Sequence, residues 1–299
     1  MARTVAPVEP QLEKSLGEKI GVLIAVVVPF VATLYAIVLL WQQYVGWRDI
    51  ALLVTFYVLG GLGITVGFHR MLTHKSFETH PAVRFIFLVM GCLAVEGSPL
   101  EWASTHIQHH ANSDGEDDPH SPLEGFWHAH FGWLFAFKNN PAVYGTWLQR
   151  DPMVMFVTKY WLAFAALGLI IPFAIGGWTG LLWGGAVRIF LGHHVTWSVN
   201  SICHTFGNRP FKTRDASRNN FLVGVLAFGE GWHNNHHAFP RSAFHGLRWW
   251  QIDISAYLIR TLERFGLVWN VHRVKEADER KRTNAPRGNE AAWDLDVQG

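Results

Sequence analysis

Charge and cysteine are both scarce in this chain. Only 16% of its 299 residues are Asp, Glu, Lys or Arg, and the two cysteines, Cys92 and Cys203, each lie in an apolar stretch. That excludes a disulfide framework and a Cys-x-x-Cys zinc or redox pair, so both read as packing residues. Also missing are a nucleophile elbow, a phosphate-binding glycine loop, any nucleic-acid motif, internal repeats and low-complexity segments, and no nucleic acid is expected as a partner. The net charge of +2 hides an uneven distribution. Basic residues crowd the last third, from Arg209 through Lys212, Arg214, Arg218 and Arg248 to Arg287, which favours lipid headgroups or an acidic partner.

What is abundant is apolar and aromatic. Hydrophobic residues make up 49% of the chain, with 15 Trp and 21 Phe, beyond the balance of an ordinary soluble domain. Residues 1–19 are polar and read as a retained lead-in, since the apolar run after them is too long for a signal-peptide core. Uncharged or nearly uncharged runs then cover residues 20–41, 50–68, 160–177 and 181–203, each close to the roughly 20 residues that cross a bilayer as helix. They pair into two hairpins. Arg188 lies inside the fourth run and is expected to snorkel or to pair internally. The apolar run at 85–95 is too short to cross and is expected to be interfacial or buried. Residues 69–159 and 204–274 form a polar cap, and 275–299 a polar tail.

Three histidine blocks stand out: "HRMLTH" (His69, His74), "HIQHH" (His106, His109, His110) and "HNNHH" (His233, His236, His237). Zero and then two crossings separate them, so all three fall on one membrane face. The distribution of Lys and Arg places that face, with both termini, in the cytosol. Spacings of three and four put each triplet's rings on one helix face. In the first block the spacing of five leaves the rings about 140° apart on an ideal α-helix. Either the two rings serve different ions or the helix breaks near Arg70. Imidazole suits iron, zinc, copper and nickel, and a set this large exceeds what one ion accepts. Asn200 and His204 are four apart on one face of the fourth run. Asp114, Asp117 and Asp118 are candidates to hydrogen-bond ligand rings, and His193 to support them.

The order "GFHRMLTH", "EWASTHIQHH", "NSICHTFG" and "GEGWHNNHHAFP" between two helical hairpins resembles the membrane-bound fatty acyl desaturases of the Δ9 (stearoyl-CoA desaturase) family, over roughly residues 20–270. The resemblance implies an all-α integral membrane protein with four transmembrane helices in two hairpins and a cytosolic helical cap holding a di-iron site. It implies a reaction that uses O2 and two electrons to remove two hydrogens from an unactivated acyl chain. Carried over by position, the iron ligands fall on His69, His74, His106, His109, His110, His204, His233, His236 and His237, with Asn200 reaching an iron through water. The substrate tunnel falls on Tyr57, Gly61, Trp102, Thr196 and Trp197.

Family members of the animal type carry an Arg-Asp pair before the second block, where this chain has Ser104 and Thr105. The acyl carrier is therefore either CoA or a glycerolipid, and "EGSPLEW" is more similar to bacterial members, implying the inner cell membrane. A separate electron donor is expected, ferredoxin or cytochrome b5 with its reductase, with Arg209, Lys212, Arg214 and Arg218 as candidate contacts for donor or headgroup. Rival readings are a di-iron membrane hydroxylase or ketolase, and a metal transporter or bis-histidine haem protein. The last would place its ligands within the bilayer.

Overall fold

Capping and apolar continuity set the first elements of the computed structural model, which describes residues 13–42 and 44–283. The lead-in before residue 13 and the tail beyond Thr283 lie outside the described residues. Helix α1 (Leu16–Trp41) starts at a capping box, in which Ser15 Oγ accepts from Glu18 N and Glu18 Oε2 accepts from Ser15 N. Its mean hydropathy is 2.8, and Leu23, Ile24, Val28, Val31 and Tyr35 are exposed around it. So much uncovered apolar surface suits lipid, not water.

Helix α2 (Trp47–Leu62) runs on without interruption as π-helix over Gly63–Thr73. A two-residue strand β1 (Glu78–Thr79) precedes α3 (Pro81–Leu93), which is too short to cross a bilayer and packs on the π-helical stretch. That packing needs glycine. A Cβ on Gly63 would stand 2.1 Å from Gly91 N, and one on Gly67 2.8 Å from Phe87 O. Helix α4 (Pro99–Asn112) is capped by Ser98 and Glu101 and bears the second histidine block. One-turn helices α5 (Trp133–Ala136) and α6 (Pro141–Tyr144) follow.

Helix α7 (Pro152–Gly180), a π-turn at Leu181–Val187 and α8 (Arg188–Thr205) form one hydrogen-bonded stretch of 54 residues. Gly177, at φ +59 and ψ −144, reverses it, a conformation that a side chain would disfavour. The two legs lie side by side, because a Cβ on Gly184 would meet Pro172 at 3.0 Å and Arg188 Nη2 donates to Gly168 O at 3.1 Å. Among the described residues there are thus three helices long and apolar enough to cross a membrane, the third folded back on itself. Arg188 pairs internally: it also donates to Gly184 O and Leu93 O, tying α3 to both legs.

The remaining elements are α9 (Phe221–Leu226), α10 (His233–Ala238), α11 (Ile254–Arg264), β2 (Val268–Trp269), which pairs antiparallel with β1, and α12 (Glu276–Thr283). The stretch read as polar tail therefore begins as an exposed helix. The core joins membrane part and cap: Val66, Phe68, Leu72, Leu88, Cys92, Ala103, Leu148, Val154 and Ile259 form one fully buried cluster. Cys203 is buried too, and both cysteines are free.

Candidate metal centre

The π-helix resolves the spacing of five. Its hydrogen bonds run from residue i+5 back to i, as His74 N to His69 O at 3.1 Å, so residues five apart sit one above the other. The two rings lie 4.8 Å apart, centroid to centroid, in one cluster. The expectation that they serve different ions, and the alternative of a break near Arg70, both assumed α-helical geometry and do not hold.

The nine histidines converge in two groups. His69 and His74 from the π-helix, His106 and His110 from α4 and His236 from α10 form one; His109, His204, His233 and His237 form the other. Within the first, Nε2 atoms stand 3.1 Å apart for His69–His236 and His74–His106, 3.0 Å for His106–His110 and 2.9 Å for His110–His236. Within the second, His204–His233 is 3.0 Å and His109–His237 3.4 Å. Imidazole nitrogens bound about 2.1 Å from one ion at right angles stand roughly 3 Å apart.

Carboxylates hold the far side of the rings. Glu230 Oε2 lies 2.6 Å from His69 Nδ1, Asp118 Oδ1 accepts from His109 Nδ1 at 2.9 Å, and Asp215 Oδ2 accepts from His237 Nδ1 at 2.7 Å. Asp114 Oδ1 is 2.9 Å from His204 Nδ1. With the proton on Nδ1, each Nε2 is left bare, and the bare nitrogens point at one another. Burial, then the neighbouring rings, hold His106, His110, His233 and His236 well below the usual 6.5, which keeps them neutral. Rings whose Nε2 atoms converge with no carboxylate oxygen among them fit two cations that accept nitrogen ligands.

Of the three acidic candidates after the second block, Asp114 and Asp118 reach ligand rings, whereas Asp117 offers its carbonyl to Gln108. Sequence reasoning missed Asp215, Glu230 and Asp253. Arg70 is fully buried and links the last two: its Nη2 donates to Glu230 Oε1 and its Nη1 to Asp253 Oδ2, each at 3.1 Å. Its neighbour His245, one of the histidines outside the blocks that the sequence reads as mostly surface residues or supports behind the ligands, packs beside His236, with Nδ1 3.2 Å from Glu230. The one available signal was an arginine between two ligand histidines, which needs buried anions once it is itself buried.

A cavity opens from His69, His106 and His233 between α2 and α8. Tyr57, Gly61, Trp102, Thr196 and Asn200 line it. Trp197 instead packs against His193 and His130, and His193 bonds to Ala94 O at 3.0 Å, away from both histidine groups. Several wall residues were not anticipated, Glu96 and Phe228 among them. Glu96 accepts from Thr196 Oγ1 at 2.8 Å and Trp102 Nε1 at 3.1 Å, and burial pushes its carboxyl up to about 7. Phe228 lies across Gly61, where a Cβ would meet its ring at 2.1 Å. Of the basic residues, Arg209 donates to Thr213 Oγ1 and to Asp215 O, Lys212 and Arg218 are half-buried, and Arg214 is exposed.

Comparison with known proteins agrees with this geometry. The fatty acid desaturase family pattern matches residues 45–272. The chain is 43% identical over 233 residues to the sn-1 stearoyl-lipid 9-desaturase of Anabaena variabilis, covering 77% of this chain and 84% of that protein. It is 40% identical over 267 residues to a hex-5-enoyl-[acyl-carrier protein] acetylenase of Moorena producens (strain JHB), covering 82% and 83%. To the acyl-CoA C20 Delta5-desaturase of Anemone leveillei it is 39% identical over 258 residues, covering 84% and 83%. With its histidine blocks gathered into two groups beside an apolar cavity, the chain belongs to the fatty acid desaturase family.

Proposed function

We propose that this desaturase introduces a cis double bond at Δ9 into a long saturated acyl chain, carried by CoA or by a glycerolipid. The observation that carries the reading is the junction of the two histidine groups with a cavity whose other walls are mostly apolar. A methylene C–H bond is too weakly acidic for any side-chain base, so the oxidising power must come from bound metal. Iron held by His69, His74, His106, His110 and His236, and by His109, His204, His233 and His237 with Asn200 beside them, would supply O2-dependent oxidation, consuming two electrons.

The chain's own part is orientation. Glu230, Asp114, Asp118 and Asp215 keep protons on Nδ1 and aim Nε2 inward. Trp102, Glu96 and Thr196 make a hydrogen-bonded wall where the cavity meets His106, and Tyr57, Gly61 and Phe228 pack together in another part of its wall. With Gly177 as a corner, α1, α2 and the two legs α7 and α8 would give four crossings, the histidines and the cap on the cytosolic side of a bacterial inner membrane. Ferredoxin or cytochrome b5 is the donor on this reading, meeting the basic stretch around Arg209, Lys212, Arg214 and Arg218.

The test is expression in cells lacking a Δ9 desaturase, with double-bond mapping of free, CoA-bound and lipid-bound acyl chains. A Δ9 product in one pool supports the reading and names the carrier. Hydroxylated products, or no product from protein carrying two irons, overturn it.

A further inference from the structure

Away from the histidines, α2 and α7 enclose a second hollow. From α2 it takes Arg48, Ala51, Leu52, Thr55, Phe56 and Leu59, whose steps of three and four make one stripe along the helix. Leu52 and Phe56 are buried and form a floor with Leu93 of α3, whereas Ile171 and Ile175 of α7, 40% and 54% exposed, form the far rim. The hollow is thus a groove running along the helices, about 490 Å3 in volume and open on the side of its exposed rim. Ligand sites have volumes of roughly 300–1,000 Å3.

The groove has a length and a polar end. From Arg48 to Leu59 the helix rises about 16 Å, half of the roughly 30 Å hydrocarbon core and so the depth of one leaflet's acyl chains. Trp47 and Trp178, 85% and 76% exposed, put the Arg48 end at the headgroup layer, where tryptophan collects. Arg48 is exposed and makes no ion pair among the described residues. A Cβ on Gly176 would stand 3.7 Å from its Nε, so the glycine leaves the guanidinium room at the mouth. Asp49 is the one acidic residue in the turns at this end, residues 42–49 and 176–181. It is 4% exposed, and its Oδ2 accepts from Gly46 N at 3.0 Å, so it does not line the groove.

We infer that this groove binds an acyl chain of an anionic glycerolipid from the leaflet at the far end of α2 from the histidines, with the phosphate on Arg48. The occupant follows from the lining. Apart from Arg48 and Thr55 every lining residue is apolar, which suits a hydrocarbon chain. The planar guanidinium fork suits a phosphate. A headgroup cation such as choline would lie beside Arg48 with no exposed acid to receive it, which selects a headgroup without one. Phe56 lines both this groove and the cavity beside the histidines, so the bound chain packs on the back of that cavity's wall. The lipid is a bound component of the fold and not the molecule that reacts, and the inference goes beyond the desaturase reading without resting on it.

The test uses the full chain, purified in detergent and stripped of lipid, then titrated with dioleoyl phosphatidylglycerol or dioleoyl phosphatidylcholine while native mass spectrometry counts bound lipids. The parent is expected to hold one phosphatidylglycerol at least fivefold more tightly than phosphatidylcholine. Arg48→Gln removes the cation, and Ile175→Trp fills the groove from its exposed rim; each is expected to weaken phosphatidylglycerol binding at least fivefold. Both positions are on the surface, and neither lies in the histidine groups or the cavity beside them. Equal binding of the two lipids by the parent, or unchanged phosphatidylglycerol binding in either variant, overturns the inference. The readout needs no turnover, so it stands whether or not the parent chain makes double bonds.

Discussion

The two histidine groups use one kind of side chain and are braced differently. In the four-membered group three rings set Nδ1 against a carboxylate of their own: His109 on Asp118, His204 on Asp114 and His237 on Asp215. In the five-membered group, among the described residues, His69 has this support, from Glu230, and Glu230 is shared with Arg70 and His245. A carboxylate behind a ring fixes its tautomer and raises its basicity. The smaller group therefore compensates for a missing ligand with nearby negative charge, while the larger relies on ligand number and on a network that also holds the cap together.

The largest effect expected is from the ligands themselves. His233→Ala and His110→Ala should each drop turnover to background and metal content from two ions to about one per chain, read by elemental analysis. If both variants keep two ions, the division into two groups is wrong. Next, Arg70→Ala removes the buried guanidinium that faces Glu230 and Asp253 and should cost about 3–5 kcal/mol in thermal unfolding of the detergent-solubilised protein. Asp118→Asn should weaken the four-membered group's hold on its ion about 10–100-fold in chelator competition, leaving the other ion unaffected. Loss of both ions together would mean the groups are one coupled unit.

Glu96 belongs to neither group and is the smallest effect. The folded protein keeps its proton up to about pH 7, whereas an ordinary glutamate releases it near 4.5. The stability it contributes is fully present below pH 4.5 and lost as pH rises through 7. Glu96→Gln should therefore unfold like the parent at pH 4 and be more stable by at least about 1 kcal/mol at pH 8, with metal content unchanged. A pH-independent difference would mean that Glu96 is charged in its wall.

Much of this architecture was legible because it depends on composition over short windows. The long apolar runs appear as helices of membrane length, the short run before Val95 ends in a buried helix, and both cysteines are packing residues. The spacing of three and four in the second and third blocks gave helices whose rings do converge. Where the reading failed, it had assumed a regular α-helix: the π-helix at Gly63–Thr73 arises from glycine-mediated contact with α3, a tertiary demand that local pattern does not carry. Trp197 was placed in the tunnel by its spacing of three before Asn200 together with the resemblance, and it packs on His193.

By itself the sequence determined what is local: which runs suit a bilayer, and which histidines form blocks. Which ring joins which group was decided only by the tertiary structure. So were the assignment of Glu230 to the ring of His69, 161 positions before it, the pairing of Asp215 with His237, and the placing of Phe228 over Gly61. The physical reason is that ligand geometry is set by contacts between segments more than 100 residues apart, such as His69 with His236 or His110 with His236, and no periodicity within one segment encodes them.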